Sequence, residues 1–181
     1  CATALAGLPD VTLPMLAAGT RATVAASGRL SDTGATAFGL RPIIDGNTRP
    51  ALGRIHLRFG HFAPGAPNVD VGLLAGGSFT PVFSDVPFGS IDAPMGSEAV
   101  TGYLPTSPLS NAVLQVRLAG SGTVALTVPN VTINASVSRG TAISLFAIGV
   151  PGGTGDQRLS ALACSDRLPA ATALAPCTRA P

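Results

Sequence analysis

The first fifty residues repeat the last third of the chain, and this internal match constrains the fold more than any other feature. Leu8-Pro9-Asp10-Val11-Thr12-Leu13 reads against Val128-Pro129-Asn130-Val131-Thr132-Ile133 at an offset of 120. After a one-residue slip the offset is 121. In that register Gly19-Thr20 reads against Gly140-Thr141, Ala26 against Ala147, Gly28 against Gly149, Thr33-Gly34 against Thr154-Gly155, and Asp45 against Asp166. Residues 14–120 hold nothing that completes the first copy. The chain therefore reads as a partial repeat over 1–50, one whole repeat over 51–166, and a Pro/Ala-rich tail over 167–181.

Period-two alternation dominates, which is the signature of strands with one buried face. Ile55, Leu57 and Phe59 alternate with Arg54, His56 and Arg58. Further strands are expected at Val69–Leu73, at Pro81-Val82-Phe83 with Val86, and at Leu114–Leu118. The clearest pattern runs over 130–138, followed by Ile143–Ala147 and Leu159–Ala163. Pro-Gly, Gly-Gly and Ser-Gly turns separate them. Seven or eight strands over 51–166 predict an all-β fold, an antiparallel immunoglobulin-like β-sandwich. Residues 1–50 supply its last three or four strands a second time. Val11, Leu13 and Met15, then Val24 with Ala22 and Ala26, then Phe38 and Leu40 are expected to form an apolar face. Left uncovered, such a face and its strand edges are a docking surface.

Composition narrows the class. Apolar residues make up 46% of the 181 and charged residues 11%, so the chain can bury a core. Glycine (22) and proline (16) are scattered between apolar runs, as turns require. All eleven basic residues are Arg, which reads as GC-rich codon bias, and a dispersed net charge of +2 does not point to nucleic acid. No apolar run reaches the roughly 20 residues of a membrane-spanning helix.

Cysteine usage bears on location. Cys164 and Cys177 bracket the Pro/Ala segment, and a disulfide between them would stabilise by about 3 kcal/mol if the chain is secreted. A chain beginning at Cys1 reads as processed or trimmed. One reading is a lipidated bacterial lipoprotein Cys. The other, favoured because repeat-like sequence follows at once instead of a polar tether, is a free or intermolecular thiol within a longer tandem protein.

His61-Phe62-Ala63-Pro64-Gly65-Ala66-Pro67-Asn68-Val69-Asp70-Val71 resembles a family of secreted bacterial proteins described only as a domain of unknown function, with the signature H-x-S-P-D-A-P-x-V-D-V. Pro81–Gly89 and Gly140–Gly149 are similar to later segments of that family. Ala63 and Gly65 depart from its usual Ser and Asp. The resemblance implies an immunoglobulin-like sandwich, often in tandem, on secreted or surface-attached proteins. It brings no catalytic residues.

Residue by residue, the chemistry is sparse. His56 and His61 have opposite parity and cannot share a metal, and His61 is expected to turn inward and bond the backbone of the Ala63–Pro67 loop. Asp70, Asp85, Asp92 and Glu98 lack the spacing of a calcium loop. No G-x-S-x-G or H-E-x-x-H motif is present, and the Gly76-Gly77-Ser78 and Gly152–Gly155 stretches read as turns. With no Trp and one Tyr, Tyr103, the chain lacks an aromatic sugar platform. Asn130 and Asn134 head N-glycosylation sequons on the expected solvent face, which bacterial proteins would leave as plain polar positions.

The expectation is a non-enzymatic structural protein without cofactor, extracellular or on the bacterial cell surface. It would assemble as a filament or ring, its partial sandwich completed by other copies of itself or by a partner chain. The alternatives are an adhesive or ligand-binding module using loops such as 63–67 and 90–100, and a processed fragment of a longer tandem-repeat surface protein.

Overall fold

A computed structural model describes residues 15–45, 48–92, 102–135, 140–166 and 177–180. The described part is built from twelve strands and two single 3₁₀ turns, with no α-helix. The strands are β1 (Arg21–Ser27), β2 (Gly39–Asp45), β3 (Ile55–His61), β4 (Val69–Ala75), β5 (Ser78–Val86) and β6 (Ile91–Asp92). They continue with β7 (Leu104–Thr106), β8 (Leu109–Leu118), β9 (Val124–Ile133), β10 (Thr141–Ile148), β11 (Ser160–Ser165) and β12 (Cys177–Ala180).

These strands form three sheets. One is antiparallel and four-stranded, in the order β5-β4-β8-β9. The second runs β12-β11-β10-β3-β6, with β7 sharing the β3 edge. The two pack face to face, because the inward residues of both are apolar. Val69 and Val71 of β4, Phe83 and Val86 of β5, and Leu114 and Val116 of β8 meet Leu57 and Phe59 of β3 and Leu145 and Ala147 of β10. Phe59 and Phe83 stack across the layers at 6.0 Å between ring centroids. This is a β-sandwich arrangement. One pairing departs from the antiparallel expectation: β3 and β10 run parallel, with Arg58 opposite Ser144.

The third sheet is the hairpin β1–β2. It matches the β10–β11 hairpin feature for feature at an offset of 121. Ala26 pairs with Leu40 as Ala147 pairs with Ala161. A 3₁₀ turn at Gly34–Thr36 recurs at Gly155–Gln157, preceded by Thr33 at φ −119°, ψ 164° and Thr154 at φ −121°, ψ 165°. Isolated bridges join Arg29 to Ala37 and Val150 to Arg158. Gly28 and Gly149 have φ of 98° and 88°, and a Cβ on either would collide with the backbone carbonyl across the turn, at Ala37 and Arg158 respectively. Only glycine fits there.

Three readings of the sequence need correction. β3 is buried along its whole length, on both faces, so His56 and Arg58 do not face solvent. The alternation marked two faces correctly, but the second is covered by the preceding hairpin β1–β2 and by Tyr103 from beyond β6. The strand read over 130–138 is described as Val124–Ile133, with Asn134 and Ala135 past its end and 136–138 outside the described residues. Asn130 has a left-handed φ of 59°, and the β8–β9 register shifts beside it, where Ala112 pairs with Val131 and Leu114 with Val128. Such a bulge breaks the parity from which a face is read. The C-terminal segment ends in a strand, since β12 extends the sheet beside β11.

Candidate functional site

The hairpin β1–β2 has two unlike faces because its side chains alternate across the strands. Thr23, Ala25, Ile43 and Asp45 lie on the side that meets the sandwich. Their counterparts Ser144, Phe146, Cys164 and Asp166 lie on the outer side of β10–β11, and the two hairpins pack back to back. Ile43 joins Phe62, Phe146 and Cys164 in a small second core, flanked by Ala25, Ile148 and Leu162. Phe62 and Phe146 stack at 5.4 Å. A groove of about 960 Å³ runs beside this core, lined by Thr23, Ala25, Phe62, Phe146 and Ile148 among others.

A buried polar cluster sits in the same seam. Arg58 is 0% exposed. Its Nε donates to Ser144 Oγ at 2.5 Å and one terminal nitrogen donates to the Ile44 carbonyl at 3.4 Å. The other terminal nitrogen donates to Asp45 Oδ1 and lies 3.8 Å from Asp166 Oδ1. Ser144 Oγ in turn donates a hydrogen bond to Asp166 Oδ2 at 2.7 Å, and Tyr103 Oη donates to the same oxygen at 3.1 Å. Thr23 Oγ1 donates to Asp45, at 3.0 Å to Oδ2. The Tyr103 ring lies 4.6 Å beneath the Arg58 guanidinium and stacks on His56 at 5.9 Å. The two aspartates that match in the sequence repeat therefore converge on one guanidinium.

Burial governs the protonation of this cluster. It pushes the Asp166 carboxyl up, against the opposing help of Ser144, Arg58 and Tyr103. It raises the Tyr103 phenol strongly, and the negative charge of Asp166 adds to that. The cluster is a clasp between two sheets. The Ser144 hydroxyl is engaged on both sides, and Arg58, which would have to meet a substrate anion, is out of solvent.

Two further contacts hold the hairpin in place. Arg29 donates to the Pro64 carbonyl at 3.2 Å, and Arg41 lies 5.1 Å over the Phe88 ring while its Nε donates to Ser27 Oγ at 2.7 Å. The charge-free reading of the Arg residues as codon bias missed all three anchors, Arg29, Arg41 and Arg58. Their common signal in the sequence was that each sits next to or within an apolar strand.

The outward face of the hairpin carries Ala22, Val24, Ala26, Leu40, Pro42 and Ile44. Val24 is 43%, Leu40 39% and Ile44 52% exposed. Of the residues expected on the apolar face, Val24 and Leu40 are brought together here. Met15 is fully exposed ahead of the Ala17–Thr20 turn, Phe38 is half-buried before β2, and Val11 and Leu13 lie outside the described residues. The counterparts of this face in β10–β11 are Ile143, Leu145, Ala147, Ala161 and Ala163, which pack into the sandwich core, and Ser165 in the place of Ile44.

The remaining candidates are dispersed. His61 is buried, with Nε2 3.0 Å from the Pro67 carbonyl and Nδ1 accepting from the Ala63 amide at 3.4 Å, the loop-holding contact expected of it. Desolvation lowers its pKa against the raising effect of backbone hydrogen bonds to Pro67 and Ala66. The Ala63–Pro67 loop lines a 260 Å³ apolar hollow at one end of the sandwich. Asp70 accepts from the Asp85 amide at 2.8 Å, where the β4–β5 register is irregular, and no group of three or more metal-type side chains occurs among the described residues. Glu98, the side chain of Asp92 and most of the 90–100 loop fall outside the described residues, as does Cys1. Cys164 and Cys177 form a disulfide that ties β12 to β11. Asn130 and Asn134 are exposed, one on the β9 bulge and one just past the strand.

Comparison with curated proteins and with solved structures yields no match. Residues 7–72 match the model of a domain of unknown function, DUF4397, a span that takes in the β1–β2 hairpin, β3 and the His61–Val71 motif, and crosses the boundary read at residue 50.

Proposed function

We propose that this chain is a non-catalytic structural module of a secreted or cell-surface protein. Its complete unit is an immunoglobulin-like sandwich, and its N-terminal hairpin is the back half of a second one, completed by a front sheet from a partner chain. One observation carries the reading. The exposed residues Val24, Leu40 and Ala26 stand where Leu145, Ala161 and Ala147 stand in the whole unit, and there a four-stranded sheet covers them. A face built to core composition but left in water is an interface signal. Finishing the burial of Val24, Leu40 and Ile44 would contribute about 1 kcal/mol each.

Counting elements narrows the partner. The described residues hold two hairpins of this kind and one four-stranded sheet. Copies of the chain alone would always leave one hairpin face per chain open, so a partner that brings its own sheet is favoured over self-completion. The disulfide fits an oxidising location.

The test compares hydrogen exchange in β1–β2 and β10–β11 of the isolated chain, with light scattering of the parent and of a Val24→Asp/Leu40→Asp double variant. The expected result is faster exchange in β1–β2 than in β10–β11, with at most weak association through the exposed apolar face, which the double variant loses and which adds no protection to β1. A monomer at all concentrations, with β1–β2 as protected as β10–β11, would overturn the reading.

A further inference from the structure

We infer that the edge of β1 opposite β2 accepts a parallel strand bearing a central arginine, and that this strand brings a second guanidinium to the Asp45–Asp166 pair. The inference rests on the proposed sandwich completion and names the element of the partner that docks. Among the described strands β1 pairs with β2 alone, whereas its counterpart β10 carries β3 along the corresponding edge in parallel register.

The polar cluster supplies the charge argument. Arg58 arrives on β3 opposite Ser144, bonds that hydroxyl, and crosses the seam to Asp45 on the other hairpin. Thr23 and Asp45 repeat Ser144 and Asp166, down to the hydroxyl-to-carboxylate bond. The back-to-back packing makes the seam nearly two-fold, with one cation for two carboxylates. A strand seated on β1 as β3 sits on β10 would set its arginine opposite Thr23, within reach of Asp166 across the seam. Buried carboxylates are stabilised by a directly bonded guanidinium. The occupant is thus an extended segment of alternating apolar residues around an arginine, like Ile55–His61, leading into a sheet that covers Val24 and Leu40. Main-chain pairing would supply affinity, and the arginine would supply register.

The test places a second copy of residues 51–127 directly ahead of residue 8, in the register of the repeat, with the rest of the chain intact. Exchange of the β1 amides and the ¹³C titration of the Asp166 carboxyl are followed with the added copy unchanged or carrying Arg58→Gln. Protection of β10 in the same sample confirms that the complete unit is folded. The expected result is about tenfold or greater slowing of β1 exchange, a downward move of the Asp166 titration, and loss of most of both with Arg58→Gln in the added copy. Equal protection with arginine or glutamine would overturn the inference and leave sandwich completion standing. No protection of β1 by either version would overturn both. A dimer of the unextended chain that already protects the β1 edge would also refute the assignment.

Discussion

Replacing Arg58 by leucine should cost this small protein much of its stability, and in a pH-dependent way. The side chain is fully buried and makes hydrogen bonds to Ser144, Asp45 and the Ile44 carbonyl. Leucine would fill part of the volume but leave two carboxylates in the seam without their guanidinium. Breaking a buried ion pair from one side costs about 3–5 kcal/mol, which for a chain of this size lowers the melting temperature by roughly 10 °C. The sign with pH follows from Asp166. Burial already holds its carboxyl above the ordinary carboxylate range. A carboxyl raised on folding binds its proton more tightly in the folded state, so its contribution is best in acid and declines as pH rises through the raised value. Removing Arg58 raises it further. The deficit relative to the parent should therefore be largest near neutral pH and shrink as pH falls toward the carboxylate range. Urea denaturation followed by circular dichroism at both ends of that window reads it directly. A deficit below about 1 kcal/mol, or one that does not change with pH, would refute the buried-clasp argument. Adding Asp45→Asn and Asp166→Asn to Arg58→Leu should recover part of the loss, because the stranded charges go with them.

Three other substitutions probe separate parts of the fold. His61→Gln should flatten the acid side of the stability profile: the parent's histidine is held below its ordinary value of 6.5 by burial, so the unfolded chain takes up the proton first and stability is lost as pH falls through that region. Urea midpoints on either side of that value for parent and variant check this, and identical slopes would refute it. Cys164→Ser with Cys177→Ser should cost about 3 kcal/mol through loss of the short loop closure, seen as a lower melting temperature that reductant no longer affects. Gly149→Ala should destabilise strongly, since it adds a Cβ into the Arg158 carbonyl at a left-handed φ of 88°. Gly19→Ala, at φ 84° with open space around it, should cost about 1 kcal/mol; thermal melts that rank the two the other way would refute the turn argument.

The legibility of this chain was uneven in a physically explicable way. Turn glycines, the period of β3 and the pairing of Cys164 with Cys177 are local properties, and they appeared in the structure as read. The hairpins at Arg21–Asp45 and Thr141–Ser165 could be aligned from sequence alone because their turns demand particular residues, Gly28 and Gly149 above all. The short strands β6, β7 and β12 were invisible, since two to four residues carry too little period to register. The strand at Val124–Ile133 was misplaced because a bulge at Asn130 reverses parity midway.

What a strand pattern cannot encode is the identity of whatever covers each face. The sequence by itself determined that Ile55, Leu57 and Phe59 share one side of β3 and that His56 and Arg58 share the other. It also aligned Asp45 with Asp166. Only the tertiary structure decided that the second side of β3 is buried, by a hairpin that closes its back to it, and that both aspartates reach Arg58. The reason is that alternation is set by backbone geometry over two residues, whereas burial of an arginine requires partners brought together from positions 45, 103, 144 and 166, which only packing can assemble.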